Sequence, residues 1–268
     1  MTLSSKFLNT VALATVSVFA LSTAALADGY AGGSMKDAPA AAPERQFTWS
    51  VNGGIMSDYV FRGVSQNDED PSIFVGADVG YGIFYAGIWA AEVSETFVAS
   101  NAEIDLYAGI KPVLGPVTFD LGVIYYAYND QNAGPVNVDY VELKLGASMS
   151  PFENATIGGN FFFSPDYTFE TGEVYTVEGY ASYTLPQMWI FTPSVSALVG
   201  YQTGEDDIYE TFNGFDEYVY WNAGFTLAVE KLSFDFRYWD TDIDVGGGAV
   251  VDDLADERFV FTAKVVLP

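Results

Sequence analysis

The 268-residue chain has no histidine, no cysteine, only 10 lysines and arginines against 36 aspartates and glutamates, and no long hydrophobic run beyond its first 21 residues. Each shortage closes off a class of function. Without cysteine the fold rests on no disulfide, and no thiol can serve as nucleophile or metal ligand. Without histidine the commonest general base is missing, which excludes the mechanisms that set a histidine beside Ser or Asp, such as those of barrel phospholipases, lipid A deacylases and omptin proteases. Paired carboxylates could still act as acid and base, but among 36 acids a chance pair carries no information. The chain is therefore expected not to be an enzyme and to need no cofactor. A formal charge of −26 also speaks against nucleic acid or bare anionic lipid as a partner.

What is present begins with an export signal. Lys6 precedes an apolar run over 11–21, and Ala25-Leu26-Ala27 follows as a small-residue cleavage site. A spanning helix needs about 20 apolar residues, so this run is too short to stay in a bilayer. The reading is a signal peptide over 1–27, a flexible periplasmic leader rich in Ala, Pro and Gly over 28–46, and one folded unit over 47–268. Strong acidity with few aromatics would mean disorder, but 18 Tyr, 21 Phe and 5 Trp argue for a packed fold.

The stretch 103–128 shows how that unit is built. Ile104, Leu106, Ala108 and Ile110 alternate with Glu103, Asp105, Tyr107, Gly109 and Lys111, the period of a strand with one apolar and one polar face. Pro112, Gly115 and Pro116 turn the chain. Phe119, Leu121, Val123, Tyr125 and Ala127 then alternate with Thr118, Asp120, Gly122, Ile124 and Tyr126 on the way back. Similar segments are expected at 47–61, 73–81, 84–93, 140–149, 155–163, 175–185, 190–201, 219–229, 232–239 and 259–267, which with this hairpin makes about twelve strands. Pro193 is tolerable if it lies near the start of its strand.

The connections alternate in length. Brief turns are expected at 80–82, 112–116, 150–154, 186–188 and 230–231, and long ones at 62–72, 94–101, 129–137, 164–173, 202–217 and 240–257. Short turns at one end and long loops at the other mark an outer-membrane barrel with periplasmic turns and external loops. Strands can cross hydrocarbon only as a closed sheet, because every backbone polar group must find its partner within the protein. The expected fold is thus all-β, a closed antiparallel transmembrane barrel. Tyr59, Phe61, Tyr81, Phe84, Tyr128, Trp189, Phe191, Tyr201, Tyr218 and Trp221, near strand ends, fit two interfacial girdles. The rival reading, a soluble periplasmic barrel or sandwich, accounts for the alternation but not for the loop asymmetry.

Ser57-Asp58-Tyr59-Val60-Phe61-Arg62-Gly63-Val64-Ser65-Gln66, followed by Asp70-Pro71, resembles the opening of the TorF-like porins, a family of proteobacterial outer-membrane proteins. The segments 82–89, 103–109 and 120–123 are similar to it as well. The resemblance implies an exported barrel in the outer membrane and passive transport, and it brings no catalytic residues. One departure concerns the end of the chain, Val265-Val266-Leu267-Pro268, where many such barrels carry an aromatic residue; Phe259 and Phe261 are the nearest substitutes.

The polar faces are expected to line a lumen. They carry Glu103, Asp105, Asp120, Glu142, Glu178 and Asp235, with Lys111, Lys144, Arg237, Arg258 and Lys264 as opposite charges. On the lipid face a mid-depth Lys or Arg would cost about 2–4 kcal/mol. Arg62 sits at the mouth, either reaching in to orient a solute or pair with a carboxylate, or meeting lipid phosphate as a girdle cation. Asp240, Asp242 and Asp244 alternate like the start of a calcium loop, but the sixth and twelfth positions are Val245 and Val251 where Gly and Glu are wanted, so a hydrated acidic loop is the default.

The expected function is a porin-like channel for passive diffusion of small hydrophilic solutes, with outer-membrane lipid around it and with lumen carboxylates and acidic loops giving it a preference for cations. The alternative is a closed structural or adhesive barrel acting through its external loops. At about twelve strands, between filled eight-strand barrels and open sixteen-strand porins, size does not decide whether paired ions and tyrosines plug the lumen. Neither the permeant solute nor the oligomeric state can be read from the residues.

Overall fold

The structure, a computed structural model, describes residues 47–95, 100–129, 136–205, 209–210, 213–244 and 250–268. The expected signal peptide and leader, 1–27 and 28–46, lie outside the described residues. In chain order the elements are β1 (Phe47–Met56), β2 (Val60–Phe61), β3 (Val64–Ser65), β4 (Ser72–Tyr81), β5 (Phe84–Glu92), β6 (Ala102–Ile110), β7 (Val113–Leu114) and β8 (Val117–Tyr128). They continue with β9 (Tyr140–Met149), β10 (Ala155–Ser164), β11 (Val174–Thr184), β12 (Thr192–Gly204), β13 (Glu217–Val229), β14 (Leu232–Thr241), α1 (Val250–Ala255) and β15 (Arg258–Leu267).

Twelve long strands pair antiparallel in sequence order, with β7 a two-residue extension of the turn before β8. β6 pairs β8, and β15 pairs β1 from Val51↔Leu267 to Met56↔Thr262, so the sheet closes on itself and leaves no edge. No described helix is long and apolar enough to cross a membrane, a fact that says nothing about crossing by strands.

The two faces divide as the alternation requires. Leu106, Leu121 and Leu143 are exposed outside, while Glu103 and Glu142 on the same strands are buried inside. Ile73, Val75, Val177, Val199, Phe225 and Phe236 extend the apolar outer surface. In water such a surface would aggregate; in a bilayer it is the solvent-facing side. Pro193 falls at the second residue of β12, on the face it shares with Val195 and Val199, near the strand start, where the ladder tolerates it.

The two ends differ. β4 to β5 turns over two residues with Gly82 at positive φ, and β13 to β14 turns at Glu230 and Lys231. The turn after β11 is longer than the sequence suggested, running over 185–191 with a bridge from Met188 to Phe191. At the other end the long connections gather, and the first of them departs most from expectation. Instead of lying outside, residues 58–67 fold back into the barrel as the β2–β3 hairpin, with Tyr59, Val60, Arg62, Val64, Ser65, Gln66 and Asn67 all buried. Several aromatics assigned to the girdles share that fate: Tyr59, Tyr128 and Tyr218 are interior, and Phe61 packs against the interior cluster. Tyr81, Phe84, Trp189, Tyr201 and Trp221 do face outward.

Candidate functional site: the barrel interior

The interior has two halves, built from the same strands but by different chemistry. In the half nearer the short turns, inward residues form a balanced polar ladder. Lys144 Nζ donates to Asp120 Oδ2 at 2.9 Å, and the Tyr85 hydroxyl donates to Asp120 Oδ1 at 2.7 Å. Lys111 Nζ lies 4.9 Å from the centre of the Tyr85 ring. Across the lumen, Arg237 donates to both oxygens of Asp235 at 3.0 Å, to Asn222 Oδ1 at 2.6 Å and to Ser196 Oγ at 3.0 Å. Asp78 accepts from Tyr107 at 2.6 Å and from Ser50 at 3.3 Å, with Lys264 near enough to feel its charge. Higher up, Glu178 accepts from Tyr220 at 2.7 Å and Asn160 at 3.1 Å. Glycines make room for the large rings: a Cβ on Gly122 would stand 2.5 Å from the Tyr85 hydroxyl, so the ring lies directly over bare backbone.

In the half nearer the long loops, the hairpin fills the lumen. Its tip is a two-residue turn, Arg62 (φ 48) and Gly63 (φ 88), the left-handed pair that matches the twist of flanking strands. Glycine takes that conformation freely, whereas arginine at a positive φ is uncommon and strained. A Cβ on Gly63 would collide with Thr241 and press on Tyr220, so the tip is seated against the β13–β14 wall. From there the Arg62 guanidinium grips Glu142 on β9 with two bonds of 2.8 Å and donates to Gln202 on β12 at 3.0 Å. Side-chain exposure of this ion pair is 3% and 1%. The Phe61 and Phe162 rings lie 4.6 and 5.0 Å from the same guanidinium. Arg62 therefore pairs with a strand carboxylate inside the barrel and does not meet lipid phosphate.

Further contacts secure the hairpin along its length. The Tyr59 hydroxyl donates to Glu103 at 2.6 Å, and Tyr126 donates to Glu142 at 3.1 Å. Asp58 accepts from Ser65 at 2.7 Å and from Arg258 at 3.0 Å. Long loops close over the top: Leu254 and Ala255 of α1 pack on Val64, and Gln202 Nε2 donates to Tyr209 at 3.0 Å. Burial pushes the Tyr209 phenol up to about 12, so it stays a neutral partner at physiological pH. A chain of ring contacts, Phe61–Tyr126–Tyr140–Tyr167–Tyr209–Phe215–Tyr218–Tyr220, runs across this half with centroid distances between 4.3 and 6.4 Å.

The six acids expected on the lumen side point inward, as do Lys144 and Arg237, but not into one site. Glu103, Asp105 and Glu142 gather beneath the hairpin, Asp120 with Lys144 and Asp235 with Arg237 stand in separate pairs toward the short turns, and Glu178 lies between. Asp240, Asp242 and Asp244 remain outside, where Asp242 Oδ1 accepts from the Val219 amide at 2.6 Å and Asp240 Oδ1 from the Thr241 amide at 2.9 Å. Asp240 and Asp242 thus cap the end of β14 and the start of β13; the loop that follows, 245–249, lies outside the described residues. Tyr59 was assigned to a girdle, and the polar wall residues Gln202, Asn52 and Asn222 were not singled out from the sequence. Val60-Phe61-Arg62-Gly63-Val64-Ser65, two short segments with β-branched residues around a glycine-containing turn, was the available signal for an extra hairpin.

Three comparisons bear on this architecture. The sequence over 40–266 matches the family described as "Bacterial protein of unknown function (Gcw_chp)". The chain belongs to the Gcw_chp family. No protein of curated function matches its sequence. Among solved structures the chain is similar to the KdgM porin, with a TM-score of 0.53 at 6% identity over 82% of this chain and 99% of that one. It is similar to the NanC porin, with a TM-score of 0.52 at 10% identity over 82% and 98%. A KdgM porin in complex with disordered oligogalacturonate aligns with a TM-score of 0.53 at 6% identity over 82% and 99%. At such identities the likeness is one of fold, and this Gcw_chp chain has the fold of outer-membrane porins. A bacterial closed barrel with an apolar outer surface belongs in the outer membrane.

Proposed function

We propose that the chain is a gated outer-membrane channel for the passive diffusion of small hydrophilic solutes, with a preference for cations. One observation carries the reading. The buried side-chain atoms that lack a hydrogen-bond partner among the described residues belong to Asn52, Asp105 and Asn222, and all three residues face the lumen from different strands. Buried polar groups without partners are costly, and a wall that served only to fill space would have no use for them. Along a path for water and solutes they acquire partners in transit. The resemblance to the TorF-like porins and the oligosaccharide bound by the KdgM porin support the same reading.

The hairpin makes this a gated channel. It is held in place by an ion pair, a few hydrogen bonds and ring contacts, while the barrel wall closes by its own ladders without it. Passage requires it to swing aside. The cation preference rests on charge: the short-turn half sets Asp78, Asp120 and Asp235 against Lys144, Lys264 and Arg237, whereas of the three acids beneath the hairpin, Glu103, Asp105 and Glu142, it is Glu142 that is ion-paired among the described residues, with Arg62. Such an excess raises the local cation concentration. Reversal potentials across a planar bilayer holding the purified protein in a potassium chloride gradient test this. Current steps with a potential of the cation-permeable sign are expected, and a chloride preference would overturn the reading.

The density of the plug favours a second reading, a closed structural barrel. Its signature would be the absence of current steps both in the wild type and after removal of the hairpin.

A further inference from the structure

We propose that Asp105 and Glu103 form a transit site for a small hard cation beneath the β2–β3 hairpin, and that this site sets the ion preference of the lumen; the second clause rests on the channel reading above. Both carboxylates come from the inward face of β6, two residues apart, so their Cα atoms are about 7 Å apart along one strand and their side chains lean into the same part of the lumen.

Other acids of the lumen have settled partners. Glu142 is held by Arg62, Asp120 by Lys144 and Asp235 by Arg237, while Glu178 accepts from Tyr220 and Asn160. Asp105 differs. It is 0% exposed, and among the described residues neither of its oxygens has a hydrogen-bond partner. The carboxylates of Glu103 and Glu142, both of its own sign, lie close enough to act on it. An ionised carboxylate in this position is uncompensated, and a hard cation ligated by oxygens is the partner that relieves it.

The geometry also limits how tightly such an ion is held. Glu142 is committed to Arg62, and among the described residues no three acids converge into a metal-holding cage. Two carboxylates completed by water give a site that binds and lets go, as conduction demands. The hairpin governs access, since the Tyr59 hydroxyl sits on Glu103 Oε1 in the closed arrangement and leaves with the hairpin.

Terbium(III) serves as the probe, because it takes oxygen ligands and is sensitised by nearby indole. Trp89 stands opposite Asp105 in the β5–β6 ladder. In detergent-solubilised full-length protein, saturable tryptophan-sensitised terbium luminescence is expected in the wild type and in Glu153→Gln, a charge loss on an exposed turn. It is expected to weaken about fivefold in Asp105→Asn and in Glu103→Gln, the effect of one unit charge at about 4 Å in water. Heat-modifiable gel mobility checks that each variant forms its barrel, and Glu103→Gln decides if Asp105→Asn does not. Unchanged titrations in the folded variants overturn the site. Reversal potentials on the same proteins test the second clause: the potassium-to-chloride permeability ratio should fall by a similar factor in Asp105→Asn and hold in Glu153→Gln. An unchanged ratio in a conducting Asp105→Asn overturns that clause. Terbium binding that is lost in the variants while the wild type carries no current leaves the site standing and removes the channel.

Discussion

The two halves of the barrel interior share their strands and differ in what fills them. Toward the short turns, charges pair within the wall: Lys144 with Asp120 comes from the neighbouring strands β9 and β8, and Asp235 with Arg237 from β14 alone. Toward the long loops the wall supplies acids and aromatics, and the matching cation, Arg62, arrives on a separate hairpin that crosses from β1 to reach β9 and β12. A wall-borne pair cannot leave without unfolding the barrel. A hairpin-borne cation can, because its strand neighbours are only the few residues of β2 and β3. On the gated-channel reading proposed above, the short-turn half shapes the lumen and the long-loop half closes it.

Single substitutions can break this contrast. The largest effect is expected for Glu142→Ala, which leaves the buried Arg62 guanidinium without its carboxylate. Truncating one partner of a buried pair costs about 3–5 kcal/mol. The closed state should be lost, read as larger and steadier conductance together with a lower midpoint in the heat-induced gel shift. The corresponding change in the other half, Asp120→Ala, removes hydrogen bonds to a charged group and should lower that midpoint by less, about 1.5–3 kcal/mol, without steadier current. If the two variants conducted alike, the division into closing and shaping halves would be wrong. Tyr59→Phe sharpens the comparison further: it removes only the hydroxyl that donates to Glu103, about 1 kcal/mol, and should raise the frequency of openings while leaving their size unchanged. The smallest effect, within about 0.5 kcal/mol, is expected for Asp242→Ala at the exposed end of β14, with no change in current.

The outer wall was readable from the sequence because alternation with period two states which face meets oil. The pattern of Ile104, Leu106 and Ala108 against Glu103, Asp105 and Tyr107 needs no partner strand to be interpreted, and all twelve long strands follow it. The inward direction of the charged residues came with it. The hairpin was not readable in the same way. Tyr59, Phe61 and Tyr128 lie near strand ends, where aromatics suit both a membrane interface and a plugged lumen, and local composition does not distinguish the two. The partners of Arg62, Glu142 and Gln202, are 80 and 140 residues away in the chain, and only the closed ring brings them together. Asp105 and Asp120 look alike in sequence for the same reason. One has Lys144 on the next strand, the other has Trp89 and Tyr126 on either side.

The most direct measurement is single-channel recording of the full-length protein beside a variant in which residues 58–66 are replaced by a short glycine-serine link, both checked for heat-modifiable mobility. The account predicts small, flickering steps from the wild type and large, long-lived ones from the variant, with small neutral sugars reducing the variant's current more than the wild type's. A folded variant that conducts no better than the wild type would contradict it.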